Sequence, residues 1–334
     1  MRALVTGATG FLGSHIAERL VARGDEVRAL VRPSSDTAFL KKLGVELVIG
    51  DVTEPESLVP AMAGSEVLYH AAAKVADWGP WRDFQRVTVD GTRNILNAAI
   101  QGGVQRVLHV STDGVYALSA FKGTVTEDSP LEKHFGWLDY YRRSKLAAER
   151  LARRYAEEGK LPVTIVRPGL LFGERDRVMF PGIVAFLKSG SAAYLGRADN
   201  PLPYIYAGDV AEACIAGANS DAAADRTYNV VSDEPVTQAA VFDSIADAAG
   251  LPKPKRHIPV RLIYAMAMGM EAWCLFGRRR KAHPEITRFG VILLAYNFEE
   301  DASRLLAELG WAPKVPMQEA VRRCVDALER EPAR

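Results

Sequence analysis

Gly7-Ala8-Thr9-Gly10-Phe11-Leu12-Gly13 follows directly on the apolar run Ala3-Leu4-Val5-Thr6 and opens the helical pattern that begins at Ser14. A glycine triplet alone is weak. Between a strand and a helix it marks a βα turn whose backbone can approach a pyrophosphate, with helix-start N–H groups and the helix dipole favouring negative charge. Gly7, Gly10 and Gly13 are therefore candidate phosphate-binding positions. A tight βα turn without a ligand is the bland alternative.

The alternation continues outward from this turn. Short β-branched runs at residues 26–31, 45–49, 67–71, 107–111 and 162–167 are separated by helical patterns. In residues 84–100, for example, Phe84, Val87, Gly91, Ile95 and Ala98 recur at the spacing of one buried face. This predicts an α/β fold, a Rossmann-type doubly wound parallel sheet of six strands. After Arg167, proline and glycine become frequent and regular strands fade. The expected organisation is a dinucleotide-binding domain over residues 1–168, with a return segment near 204–231, and a smaller substrate-binding region over residues 169–203 and 232–330. Two C-terminal helices are expected at 302–309 and 317–328.

The chain of 334 residues has a net charge of +1, with 48% hydrophobic and 25% charged residues. That is the balance of an ordinary globular protein and argues against disorder or a basic nucleic-acid binder. Cys214, Cys274 and Cys324 lack any disulfide or zinc-ligand spacing, which suits a reducing compartment and no metal. The longest uncharged run, residues 3–17, is too short to span a membrane. With strand residues already at Ala3, no signal peptide is expected and the protein reads as cytoplasmic.

About twenty residues beyond a glycine loop, NAD-binding folds place an acid on the ribose 2′-hydroxyl. Here the second strand ends Val31-Arg32-Pro33. A cation at that position pairs with a 2′-phosphate, so NADP is favoured over NAD, unless Arg32 is simply a solvated loop residue. Asp51, ending the third strand, is positioned for the adenine edge or, equally, to cap the next helix. Tyr141-Arg142-Arg143-Ser144-Lys145 falls in a helical pattern, so the phenol and the ammonium share a face. A nearby cation lowers a phenol's pKa, so Lys145 and the nicotinamide's positive charge would bring Tyr141 toward acid/base use near neutrality. Ser111 and Thr112, delivered by the strand at 107–111 to the carboxyl edge of the sheet, offer a hydroxyl for a substrate oxygen.

The glycine loop, His70-Ala71-Ala72-Ala73, Ser111-Thr112 with Val115-Tyr116, Tyr141 with Lys145, and Arg167-Pro168-Gly169 together resemble the extended short-chain dehydrogenases/reductases over nearly the whole chain. The resemblance implies Tyr141 as general acid/base. It implies Lys145 as the residue that tunes Tyr141 and holds the nicotinamide ribose, and Thr112 as the polarising hydroxyl with Ser111 as runner-up. Phe11, Leu12, Ala71 and Pro168 would line the cofactor path. Thr88 departs from such families, which often carry Asn there. A local structural hydrogen bond is at stake at that position, not the chemistry. A homodimer built near Phe84 and Leu138 is a further implication.

Dehydratases of this kind follow the catalytic Thr with Asp-Glu. Here Thr112-Asp113-Gly114 has no base, so dehydration is disfavoured. The stretch 73–81, with Asp77, Trp78 and Trp81, and the motifs His283-Pro284-Glu285-Ile286-Thr287-Arg288 and Leu309-Gly310-Trp311 are most similar to the 3β-hydroxysteroid dehydrogenase branch. That branch includes sterol-4-carboxylate dehydrogenases and 2-alkyl-3-oxoalkanoate reductases. Trp78 and Trp81 would wall an apolar substrate, or only pack their loop. The apolar residues 258–277, followed by Arg278-Arg279-Arg280-Lys281, read either as a cleft lid or as a peripheral membrane contact. The expected activity is interconversion of a secondary alcohol and a ketone on a steroid or β-keto lipid acid. A sugar-nucleotide epimerase with retained NAD and a non-catalytic NADP sensor are the alternatives.

Overall fold

The structure is a computed structural model and describes residues 1–233, 236–276, 283–295 and 297–330. Seven strands form one parallel sheet: β1 (Arg2–Thr6), β2 (Glu26–Val31), β3 (Glu46–Ile49), β4 (Val67–His70), β5 (Arg106–Val110), β6 (Val163–Pro168) and β7 (Thr227–Val230). Their spatial order is β3-β2-β1-β4-β5-β6-β7. The order reverses between β1 and β4, where Thr6 is in register with Leu30 on one side and His70 on the other. Ligands of open α/β sheets bind at the carboxyl ends of the strands beside such a switch point.

The six expected strands are present to within a residue or two at each end. β7 is an addition to them, formed where residues 204–231 return to the sheet edge beside β6. Both faces are covered, and the period-two alternation shows which side chain goes where. Ala3 and Val5 of β1 and Tyr69 of β4 pack with Leu12, Ile16, Val210 and Cys214. Leu4 and Leu68 pack on the other face with Ile95, Leu96 and Ala152. The helices concerned are α1 (Phe11–Ala22), α2 (Gly91–Gln101), α3 (Tyr140–Glu157) and α4 (Ala207–Ala218). The expected helix over residues 84–100 begins at Trp81 and contains a wider turn over Gln85–Asp90 before α2. A third cluster, with Phe172, Phe180, Tyr204, Phe242, Phe298 and Val321, gathers residues from 172 onward into a layer of their own.

Helix α5 (Val260–Phe276) packs on α6 (Arg288–Ala295) through Ile263, Ala267 and Val291. Its other side leaves Leu262, Met266, Met268, Trp273 and Phe276 exposed. The cations Arg278 to Lys281 lie outside the described residues. Among the described residues, no helix is long and apolar enough to cross a membrane.

Candidate active site

The glycine turn is shaped as its sequence requires. Gly7 has φ +72°, and a side chain there would meet the Ala71 backbone at 2.8 Å; one at Gly13 would meet the Gly7 carbonyl at 2.2 Å. Gly10 N–H donates to the Gly7 carbonyl at 2.9 Å, closing the turn. No side chain caps α1 and no acid lies in its first turn, so its positive end is left open to an anion. This cradle fits a dinucleotide pyrophosphate, with Phe11 and Leu12 starting the helix and Ala71 bordering the turn. Arg32 stands exposed just past β2, and its guanidinium makes no hydrogen bond or ion pair among the described residues. Asp51 instead receives the Thr53 N–H and hydroxyl at 2.8 and 2.9 Å, so one carboxylate oxygen is occupied in its own loop.

At the ends of β5 and β6 the chemistry-bearing side chains converge. Tyr141, Lys145 and Glu149 follow one another at four-residue steps on α3 and so share a face. Lys145 is buried and its ammonium donates to the Val110 carbonyl at 2.5 Å. Burial lowers its pKa to about 8 against the opposing pull of Glu149. Burial, followed by the charge of Asp113, pushes the Tyr141 phenol up to about 12, while Thr112 acts in the opposite direction. The expectation that Lys145 and the nicotinamide's positive charge together bring the phenol toward neutrality concerns the cofactor-bound site; in the chain itself the ammonium is engaged by Val110, and burial is the largest influence on Tyr141.

The two candidate hydroxyls have different partners. Ser111 donates to Glu149 at 2.6 Å, inside a sealed network in which Arg167 also grips Glu149 through Nη2 (2.5 Å) and Nε (3.1 Å). Arg167 further donates to the Tyr116 hydroxyl at 2.8 Å, and Tyr116 to Asn229 of β7 at 2.6 Å. Thr112 donates to Asp113 at 2.9 Å and accepts from Gly114 N–H at 3.2 Å, beside the Tyr141 phenol. Pro168 ends β6, buried, immediately after Arg167.

Behind the site, His70 is buried between the Thr6 and Thr92 hydroxyls at 2.8 and 3.0 Å, and burial brings its pKa to about 3. His109 lies beside it with neither ring nitrogen partnered among the described residues. At Thr88, which stands where such families often carry Asn, the hydroxyl accepts the Lys74 N–H at 3.0 Å. A shorter polar side chain thus still pins the loop that follows β4.

That loop is tied to the distant C-terminal half. Asp77 receives Thr287 at 2.8 Å on one oxygen and meets His283 at 2.7 Å on the other. The two motifs noted separately in the sequence are therefore one clamp. It leads into α6, whose Phe289 ring stands 6.5 Å from that of Tyr141. Trp81 packs on Tyr140 and under the Arg143 guanidinium, at 5.7 and 4.3 Å; Trp78 is half-buried in the loop itself. Glu149, Phe289 and Glu300 were not singled out from sequence. Only Glu149 left a signal there, its four-residue step from Lys145.

A family model described as the NAD dependent epimerase/dehydratase family matches residues 3–230. The chain is 29% identical to a 2-alkyl-3-oxoalkanoate reductase of Shewanella oneidensis, over 98% of this chain and 86% of that protein. It is 32% identical to sterol demethylase protein B of Methylococcus capsulatus, over 94% of each. Among solved structures it is similar to a UDP-glucose 4-epimerase of Thermus thermophilus in complex with NAD. That match has a TM-score of 0.76 and 28% identity, covering 99% of this chain and 100% of the other.

Proposed function

Because the chain belongs to the NAD dependent epimerase/dehydratase family, we propose that it is a ketoreductase that prefers NADPH and acts on an apolar β-keto lipid acid or steroid, with Tyr141 as its proton donor. The observation that carries this reading is the apolar ring of Phe289 over the Tyr141 phenol, held there by the Asp77 clamp. An apolar wall beside the acid suits a lipidic ketone better than a polar sugar. The names of the reductase and sterol demethylase relatives support the same substrate class.

The chemistry follows from this chain's own groups. The bound nicotinamide supplies the hydride. Tyr141, held protonated at neutral pH by burial and by Asp113, is in the form that gives its proton to the substrate oxygen during reduction. Thr112 offers a hydroxyl to the same oxygen, whereas Ser111 is committed to Glu149. Lys145, still largely cationic below its pKa of about 8, carries the positive charge at the ribose end. Arg32, with no partner among the described residues, is free to take a 2′-phosphate.

The test is a carbonyl panel with NADPH oxidation as readout, run on the wild type, Tyr141→Phe and Arg32→Ala. Tyr141→Phe should abolish turnover and leave cofactor binding nearly intact. Arg32→Ala should weaken NADPH much more than NADH. Unchanged turnover in Tyr141→Phe would overturn the reading. So would NAD retained through purification together with isomerisation of a UDP-sugar without net cofactor change, which would make the chain an epimerase.

A further inference from the structure

Glu300 comes from the C-terminal half, far from the catalytic motifs in sequence. Val125 N–H donates to the Glu299 carbonyl and Asp301 N–H to the Val125 carbonyl, each at 2.8 Å, so residues 299–301 run extended beside residue 125. In an extended segment successive side chains point to opposite sides. Glu299 is outward, receiving the Thr124 hydroxyl, and Asp301 caps Ser303. Glu300 therefore points in. Both of its carboxyl oxygens are sealed from solvent and meet no N–H or O–H donor among the described residues.

What they do meet is another carboxyl, that of Asp113. Two ionised carboxylates have only acceptors to offer each other, and a sealed, unpaired charge is costly. One proton between them resolves both problems, as in other close carboxyl pairs. Burial raises both groups, Glu300 well above the ordinary range. The remaining charges around the pair are accounted for. From α3, Arg142 spends its donors on the Gly114 carbonyl, Asp139 and the Tyr116 carbonyl. From β6, Arg167 is held by Glu149 and Tyr116, and Glu127 faces Arg304. Tyr141 is the titratable group on the substrate side.

We propose that Asp113 and Glu300 share one proton and act as a positioning pair for the Thr112 hydroxyl. With the proton on Glu300, Asp113 is an anion and holds the Thr112 hydroxyl in a charge-assisted bond. When the proton crosses to Asp113, the negative charge retreats to Glu300. The neutral acid becomes a weaker acceptor, and the Thr112 hydroxyl turns its proton to the substrate oxygen. No proton leaves the pair and Thr112 keeps its own. The same move takes negative charge away from Tyr141 as it becomes a phenolate. What Thr112 does for substrate rests on the ketoreductase reading; the shared proton rests on the two sealed Glu300 oxygens, which lack a donor among the described residues, and on the neighbouring Asp113 carboxyl.

The experiment has two arms on the full chain. Infrared spectra at pH 8 of wild type, Glu300→Gln and Asp113→Asn should show a deuteration-sensitive carboxylic-acid C=O band in the wild type that is lost in Glu300→Gln and lost or displaced in Asp113→Asn. Glu300→Gln fixes Asp113 as an anion, so on a ketone reduced by the wild type kcat should fall about tenfold or more with cofactor KM unchanged. Losing an aimed donor outright costs about 100-fold or more. A wild type without the band overturns the proposal. So does a band that persists unmoved in Asp113→Asn, or a Glu300→Gln enzyme with full kcat. If no ketone is reduced at all, the ketoreductase reading fails, while the infrared arm still decides the shared proton.

Discussion

Replacing Glu149 by Gln should unfold this protein more readily than any comparable change on its surface. The side chains of Glu149 and Arg167 are 0% and 1% exposed, and the carboxylate takes two bonds from the Arg167 guanidinium, one from Arg153 at 3.4 Å and one from the Ser111 hydroxyl. Gln keeps the shape, but it turns an N–H₂ group toward donors and leaves the guanidinium without its counter-charge. Breaking a buried pair in this way costs about 3–5 kcal/mol. Unfolding entropy near ~2.1 cal/mol/K per residue, over 334 residues, is about 0.7 kcal/mol/K, so the midpoint should drop by about 4–7 °C. Circular dichroism melts at neutral pH would read it. The sign with pH is fixed. Although burial opposes it, Arg167 holds the folded Glu149 pKa below its ordinary 4.5. The contribution is therefore full above that value and lost as pH falls through the lower folded one, so the gap between wild type and variant should close in acid. Glu149→Leu with Arg167→Met should regain much of the loss, because an apolar pair has no charge to desolvate. A Gln variant within about 1 kcal/mol of wild type, or a double variant worse than either single, would refute the reasoning.

Gly13→Ala sets a methyl 2.2 Å from the Gly7 carbonyl; relieving it at about 1–3 kcal/mol should weaken nicotinamide binding about ten- to hundredfold, read by fluorescence titration, and unchanged affinity would show that the turn is not the cradle. His70, held neutral by burial with its pKa near 3, is depressed below its unfolded value of 6.5, so its share of stability is present above that pH and lost as pH falls. His70→Asn should therefore shrink the stability lost between pH 6 and pH 5 in urea unfolding by about 1.2 kcal/mol; an unchanged loss would mean that the imidazole titrates in the folded state.

The N-terminal half was legible because its signals are local. Period-two apolar runs fix each strand, and the glycine turn needs only its own backbone. Tyr141 and Lys145 are readable since four residues is one helical step. Strand β7 was missed because Thr227-Tyr228-Asn229-Val230 is a short, partly polar run whose hydrogen bonds are made with β6, some sixty residues earlier. How far burial raises the phenol is not readable from sequence, because it depends on what covers α3. Phe289 and Glu300 had no motif at all. Their significance lies in whom they face, and that is set by how the C-terminal layer docks.

That docking is itself made at the site. Asp77, from the loop after β4, is held by His283 and Thr287. Asp113, from the turn after β5, meets Glu300. Asn229 of β7 receives Tyr116 and donates to the Asp301 carbonyl at 3.1 Å. Each link joins the sheet's carboxyl edge to residues beyond 228, and each uses a polar group that would be costly to bury alone. The later residues therefore do more than shape a pocket. On the proposed reading they complete the surroundings of Asp113, the charge beside the phenol and the acceptor of the Thr112 hydroxyl. A change of substrate preference made by altering the C-terminal layer must preserve residue 300 as a proton-holding group, or it will alter the chemistry together with the fit.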